Sequence, residues 1–176
     1  MPSDPPVKLL STFDTRFSAS TENDLYHQIA NGQSLMLPSL VQIAVGISPN
    51  NRSKLAASTK RMEEHILEYI QTCLSKFGLW CWCPDLRQSP YSLYNAACRL
   101  VALDTFKQAL ISHSYAHFNP KLSYAKNLTF LVQLYDHIVH HYIYSRYMRD
   151  KKNPGIVQAA DNASPQYHNR SRVSFV

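Results

Sequence analysis

Three prolines, each directly preceded by Ser or Asn, divide this chain of 176 residues into segments. They are Pro49, Pro90 and Pro120. A Ser or Asn side chain can cap a helix, and proline is tolerated in the first helical turn because its missing N–H would have no partner there. The sequence therefore predicts that helices begin near these three prolines.

The segments after these prolines carry apolar residues at spacings of three and four, which is typical of α-helices with one buried face. The first long helix is predicted to end at Gly78 and the third near Asp150. Two shorter helices are predicted near 22–30 and 38–45, and no strand-like alternation is found. The predicted fold class is all-α, a helical bundle of about three long and two short helices.

Both ends of the chain differ in character from this bundle. The proline-rich start predicts a flexible arm over 1–20, and the helical bundle is predicted over 21–152. From 153 to 176 the chain has no sustained apolar face, which predicts a loose, mostly irregular C-terminal extension.

Composition limits the partners and the compartment. The chain has 18 Lys and Arg against 12 Asp and Glu, a formal net charge of +6, which permits an anionic partner without requiring one. The first residues lack the apolar run of a secretory signal, and the longest apolar run is too short to span a membrane. The four cysteines then suggest reduced thiols in the nucleus or cytoplasm, with no membrane partner.

No catalytic motif is present. The 4 glycines are scattered, which rules out a phosphate-cradling loop in practice, and no nucleophile elbow or triad can be identified. We therefore predict a non-enzymatic protein that needs no cofactor.

The stretch Trp80–Cys83 (WCWC) is the most unusual local pattern. The spacing of its two cysteines fits neither the usual zinc ribbon nor a thiol redox motif. The favoured interpretation is a hydrophobic corner between two helices, anchored by the two indoles. A metal or redox role is the alternative.

Two histidines four residues apart, His137 and His141, could chelate a divalent metal from one helix face. His140 and Asp136 lie beside them, but Ile138 stands where a metalloprotease would have Glu. A metal-dependent enzyme is therefore the third hypothesis. The competing interpretation has one histidine facing the core and the others on a solvated face.

Two basic clusters are the candidate binding residues. Cations at a helix start oppose the helix dipole, so the first cluster favours an anionic partner. For the second cluster, at a helix end, the dipole is about as good an explanation as a nucleic acid. The second cluster also alternates with tyrosines, which can stack on bases. The predicted nucleic-acid-binding residues are Arg52, Lys54, Lys60, Arg61, Arg146, Arg149, Lys151 and Lys152.

The predicted function is therefore binding, with DNA or chromatin as the first partner. The alternative is a protein–protein module that self-associates through tyrosine-rich helix faces. Tyr142, Tyr144, Tyr147 and Met148 cannot all face one core from a single helix, so part of this surface is expected to be exposed.

The C-terminal third, HHYIYSRYMRDKKNPGIVQAADNASPQYHNRSR, resembles uncharacterised proteins of mushroom-forming (basidiomycete) fungi, some of them associated with mobile elements. The resemblance implies no known activity and no site residues. In those proteins the chain continues past the NRSR run, whereas here it stops after VSFV, which leaves open whether the chain is a complete product.

Overall fold

A computed structural model of the chain describes residues 4–43, 64–116 and 119–160. Within these ranges the chain is helical and contains no strand, so the predicted all-α class is confirmed. The α-helices are α1 (Val7–Phe17), α2 (Glu22–Asn31), α3 (Glu64–Lys76), α4 (Leu93–Ile111), α5 (Leu128–Asp136) and α6 (Tyr144–Lys152). None of the described helices combines the length and the apolar character that a membrane crossing requires.

Shorter elements connect these helices. The turn His137–Ile143 is a π-helix that joins α5 directly to α6, so the two helices form one long rod. Two 3₁₀ turns, Pro38–Leu40 and Leu122–Lys126, precede α3 and α5, and residues 156–160 are again helical.

Helix α4 forms the centre of the fold. It packs against α1, α2, α3 and α5, and its buried residues lie on most of its circumference. A helix buried on most of its sides is expected only where neighbouring elements cover those sides. The small residues Ala96, Ala97 and Cys98 allow these neighbours to approach closely.

Two helix boundaries follow the local signals in the sequence. Gly78 adopts a left-handed conformation (φ 66°) just after α3 ends, as predicted for a glycine stop. The Ser92 hydroxyl caps α4 by accepting a hydrogen bond from the N–H of Asn95, two residues beyond Pro90.

The prediction of a flexible arm over 1–20 is wrong for 7–17. These residues form α1, whose Leu9, Phe13 and Phe17 are four residues apart and are buried in the main core. Their regular spacing places them on one helix face. Pro6 is the N-cap of α1, a place where its missing N–H costs nothing.

Two other predicted elements also differ. The short helix expected near 38–45 is only the 3₁₀ turn Pro38–Leu40, followed by non-helical backbone over 41–43. The helix expected at Pro120 begins later, at Leu128, because the Asn127 side chain rather than the Asn-Pro pair provides the cap. The predicted helix start near Pro49 lies outside the described residues.

Candidate functional site

Four cations cluster on α6, which has the sequence YSRYMRDKK. They are the predicted residues Arg146, Arg149, Lys151 and Lys152, against a single carboxylate, Asp150. Asp150 accepts a hydrogen bond from the N–H of Gly155 at 3.0 Å, which closes the turn after the helix. The end of α6 therefore carries an excess of positive charge.

The four cations differ in how they are engaged. The Arg146 guanidinium lies 5.7 Å from the Tyr142 ring centroid, and Lys151 Nζ lies 5.6 Å from that of Tyr147. Arg149 and Lys152 are exposed, and no carboxylate of the described residues forms an ion pair with either. These two side chains are thus the most available for an external anion.

A shallow depression of about 450 Å³ lies at this end of the helix. It is lined by Met148, Arg149, Lys151 and Lys152, and its surface is mostly apolar. Long cationic side chains commonly bury their carbon stems and keep their charged ends in water. The depression therefore combines an apolar wall with a cationic rim.

The first basic cluster, Arg52, Lys54, Lys60 and Arg61, lies outside the described residues. Its role in binding nucleic acid stays a prediction.

The tyrosines divide between core and surface. Tyr147 is buried, and its hydroxyl donates a hydrogen bond to Asp4 Oδ1 at 2.7 Å, which ties α6 to the start of α1. Tyr142 and Tyr144 are 55% and 38% exposed. The expectation of exposed aromatic surface on this helix is confirmed in the structure.

The exposed surface continues along α5 as a row of apolar side chains. Phe130, Leu134, Ile138 and Tyr142 follow one another at intervals of four residues, and all four are exposed. Residues four apart lie on one helix face. We call this row the apolar stripe; it runs from the start of α5 into the π turn.

Of the three histidines in the π-helix, His137 and His141 lie on the exposed side and His140 is half-buried. His137 and His141 are exposed and their rings stack, with centroids 5.1 Å apart and planes at 14°. Imidazole lone pairs lie in the ring plane, so two nearly parallel rings do not point toward one ion. Among the described residues no group of three or more His, Cys, Asp or Glu is placed to hold a metal. The metal hypothesis stays a prediction that this ring arrangement does not favour.

The Trp80–Cys83 stretch packs as a corner between α3 and α4. Trp80 and Cys81 pack against the main core, and the Trp82 indole N–H donates to the Cys98 carbonyl at 3.0 Å. The Tyr94 hydroxyl donates to the Cys83 carbonyl at 2.8 Å. The indoles therefore anchor the turn between the helices, as the packing interpretation expects.

Three of the four cysteine thiols favour their protonated form. Burial raises the pKa of the Cys81 and Cys98 thiols above their usual values and raises that of Cys73 to about 12. Because the thiolate is the nucleophilic and metal-binding form, a protonated thiol behaves mainly as a small apolar side chain.

A buried polar cluster around Arg99 was not anticipated from the sequence. The Arg99 guanidinium is almost fully buried and forms a 2.9 Å ion pair with Glu22 Oε1. It also donates to the Pro90 carbonyl at 3.2 Å and lies 3.8 Å from Asp136 Oδ1. Arg99 therefore connects α2, α4 and the end of α5.

Three buried polar atoms beside this cluster have no hydrogen-bond partner within the described ranges: Tyr135 Oη, Asp136 Oδ1 and His140 Nε2. Burial lowers the pKa of His140, with the Arg99 charge acting in the same direction and Asp136 opposing it. π turns and unpaired buried groups often occur at functional sites. Here the three atoms are closed off from solvent, and the ion pairs of Arg99 connect the helices around them.

The signal for this cluster was a charged residue, Arg99, with apolar residues on both sides of it in α4. An arginine at such a position must be paired if it is buried. Its partners, however, lie 77 and 37 positions away in the chain, and sequence spacing does not identify partners at such separations.

Comparisons of the chain with protein-family profiles, with curated proteins and with solved structures found no match.

Proposed function

We propose that this protein binds nucleic acid through the basic end of α6. DNA or chromatin is the first candidate partner. The observation that carries the proposal is the pair of exposed cations without a carboxylate partner in the described structure, Arg149 and Lys152. Lys and Arg side chains supply most of the affinity of proteins for the phosphate backbone.

The helix dipole offers a simpler reason for cations at this place. It contributes roughly 0.3–1 kcal/mol per favourable charge and acts only over the last turn. It therefore accounts for the three cations of the last turn, Arg149, Lys151 and Lys152. It does not account for Arg146 further back, nor for the exposed rings of Tyr142 and Tyr144 beside it. Cations together with exposed aromatic rings are typical of surfaces that bind single-stranded nucleic acid.

The test is a paired charge reversal. Arg149→Glu with Lys152→Glu removes two phosphate contacts, and each contact contributes about 0.7 to the salt exponent for a single strand. At about 0.1 M salt this predicts a loss of roughly 25-fold in affinity, measured by fluorescence anisotropy of a labelled oligonucleotide. Like-charge repulsion from the new carboxylates would increase the loss.

The matched control makes the same charge change elsewhere. Lys121→Glu with Lys126→Glu alters two exposed lysines at the other end of the α5–α6 rod, roughly 30 Å away at 1.5 Å per residue. The control variant should lose much less affinity than the α6 variant. Equal losses would mean that only net charge matters and that α6 is not the site.

A second candidate function, self-association, is favoured by the apolar stripe. Exposed apolar side chains that lie in a continuous row commonly mark interaction sites, whereas isolated ones do not. Light scattering should then give a mass above that of one chain, and Leu134→Glu should reduce it. Val7→Glu, at an exposed position on α1, is the control that should leave the mass unchanged. A strict monomer at high concentration would exclude this candidate.

A further inference from the structure

The residues that line the depression at the end of α6 indicate which kind of nucleic acid can bind there. The depression is shallow and open, with a volume of about 450 Å³. Its walls are the Met148 thioether and the side chains of Arg149, Lys151 and Lys152, and the surface they present is mostly apolar. A phosphate alone would contact the charged ends of the three cations but leave this apolar surface exposed to water.

A nucleotide matches both the apolar wall and the cationic rim of the depression. The flat face of a base can lie against a flexible thioether and aliphatic stems, and a guanidinium can stack on an aromatic ring. The charged ends of Arg149, Lys151 and Lys152 then remain at the rim, where they can meet the phosphates on either side of that base.

We infer that this depression accepts an unpaired nucleobase of a single-stranded nucleic acid, an inference that rests on the proposed function. In a duplex the flat faces of the bases are stacked and only their edges are open in the grooves. A base can present its face to Met148 only when it is unpaired. The basic end of α6 therefore distinguishes single strands from duplexes, in addition to attracting phosphates.

The experiment compares three labelled probes of equal length: a mixed-sequence single strand, an abasic single strand with the same phosphates, and a duplex. The protein should bind the single strand about 5- to 150-fold more tightly than the abasic strand, which is the usual contribution of one stacked base, about 1–3 kcal/mol. The single strand is supplied as DNA and as RNA, and both should bind more tightly than the abasic strand, because the 2′-hydroxyl is not needed to place a base against Met148.

The matched variant is Met148→Ala, which changes an exposed side chain and keeps every cation. It should weaken binding of the single strand while leaving the abasic strand and the duplex unchanged. Met148→Leu, which keeps the apolar wall, should restore most of the affinity for the single strand.

Failure of the base site can be distinguished from failure of the proposed function. Equal affinity for the single and abasic strands, with a steep salt dependence for both, would overturn the base site and leave nucleic-acid binding standing. No binding of any probe at low salt would overturn the inference and the proposed function together.

Discussion

Replacing Phe13 with alanine should strongly destabilise the protein if α1 belongs to the folded core. The Phe13 side chain is 2% exposed, and its ring contacts those of Phe17 and Tyr94 at centroid distances of 4.6 and 5.3 Å. Burial of such a ring contributes about 1.5–3 kcal/mol, and each aromatic pair adds about 0.5–1.5 kcal/mol. The loss for a buried Phe→Ala change is therefore expected at about 3–5 kcal/mol.

Urea unfolding measures this loss. For a chain of this size, with a dependence of about 2 kcal/mol per molar urea, a loss of about 4 kcal/mol lowers the midpoint by about 2 M. Val7→Ala is the control on the same helix, because Val7 is 82% exposed and its replacement should change the free energy of unfolding by less than about 0.5 kcal/mol. If both variants unfold at the wild-type midpoint, α1 does not dock on the core.

Three further predictions concern the corner, a turn and the buried histidine. Trp82→Phe keeps an aromatic ring but removes the hydrogen bond to the Cys98 carbonyl, so it should cost about 0.5–1.5 kcal/mol in urea unfolding; no change would mean the bond is not formed in solution. Gly78→Ala forces a side chain into a left-handed conformation and should cost about 1–2 kcal/mol by the same assay. Burial lowers the pKa of His140 in the folded state, so the unfolded chain binds the proton more tightly. The contribution of neutral His140 to stability should be complete above about pH 6.5 and lost as the pH falls through the lowered pKa. His140→Leu should remove this part of the pH dependence of the urea midpoint.

The boundaries that the sequence predicts well depend on local chemistry. Gly78 and Ser92 mark the end of α3 and the start of α4 by conformations and hydrogen bonds within a few residues. The same kind of signal was present in α1 as Leu9, Phe13 and Phe17, four residues apart. It was outweighed by the nearby prolines, although a proline before the first turn is compatible with a helix.

The features that the sequence does not predict depend on contacts between distant segments. Arg99 is buried because Glu22 and Asp136 reach it from other helices. The π-helix His137–Ile143 consists only of β-branched and aromatic residues, which are weaker helix formers than Ala or Leu, but this composition does not identify a π-helix. For the candidate site, the sequence predicts the cations of α6, whereas only the structure shows the apolar wall at Met148.

The measurement that tests the proposed function most directly is the salt dependence of oligonucleotide binding. If the four cations of α6 each contact a phosphate, log K against log salt should fall with a slope of about −2.8 for a single strand. Affinity should then drop about 50-fold between about 50 and 200 mM salt. A slope near zero, or no binding at low salt, would contradict a role for α6 in binding nucleic acid.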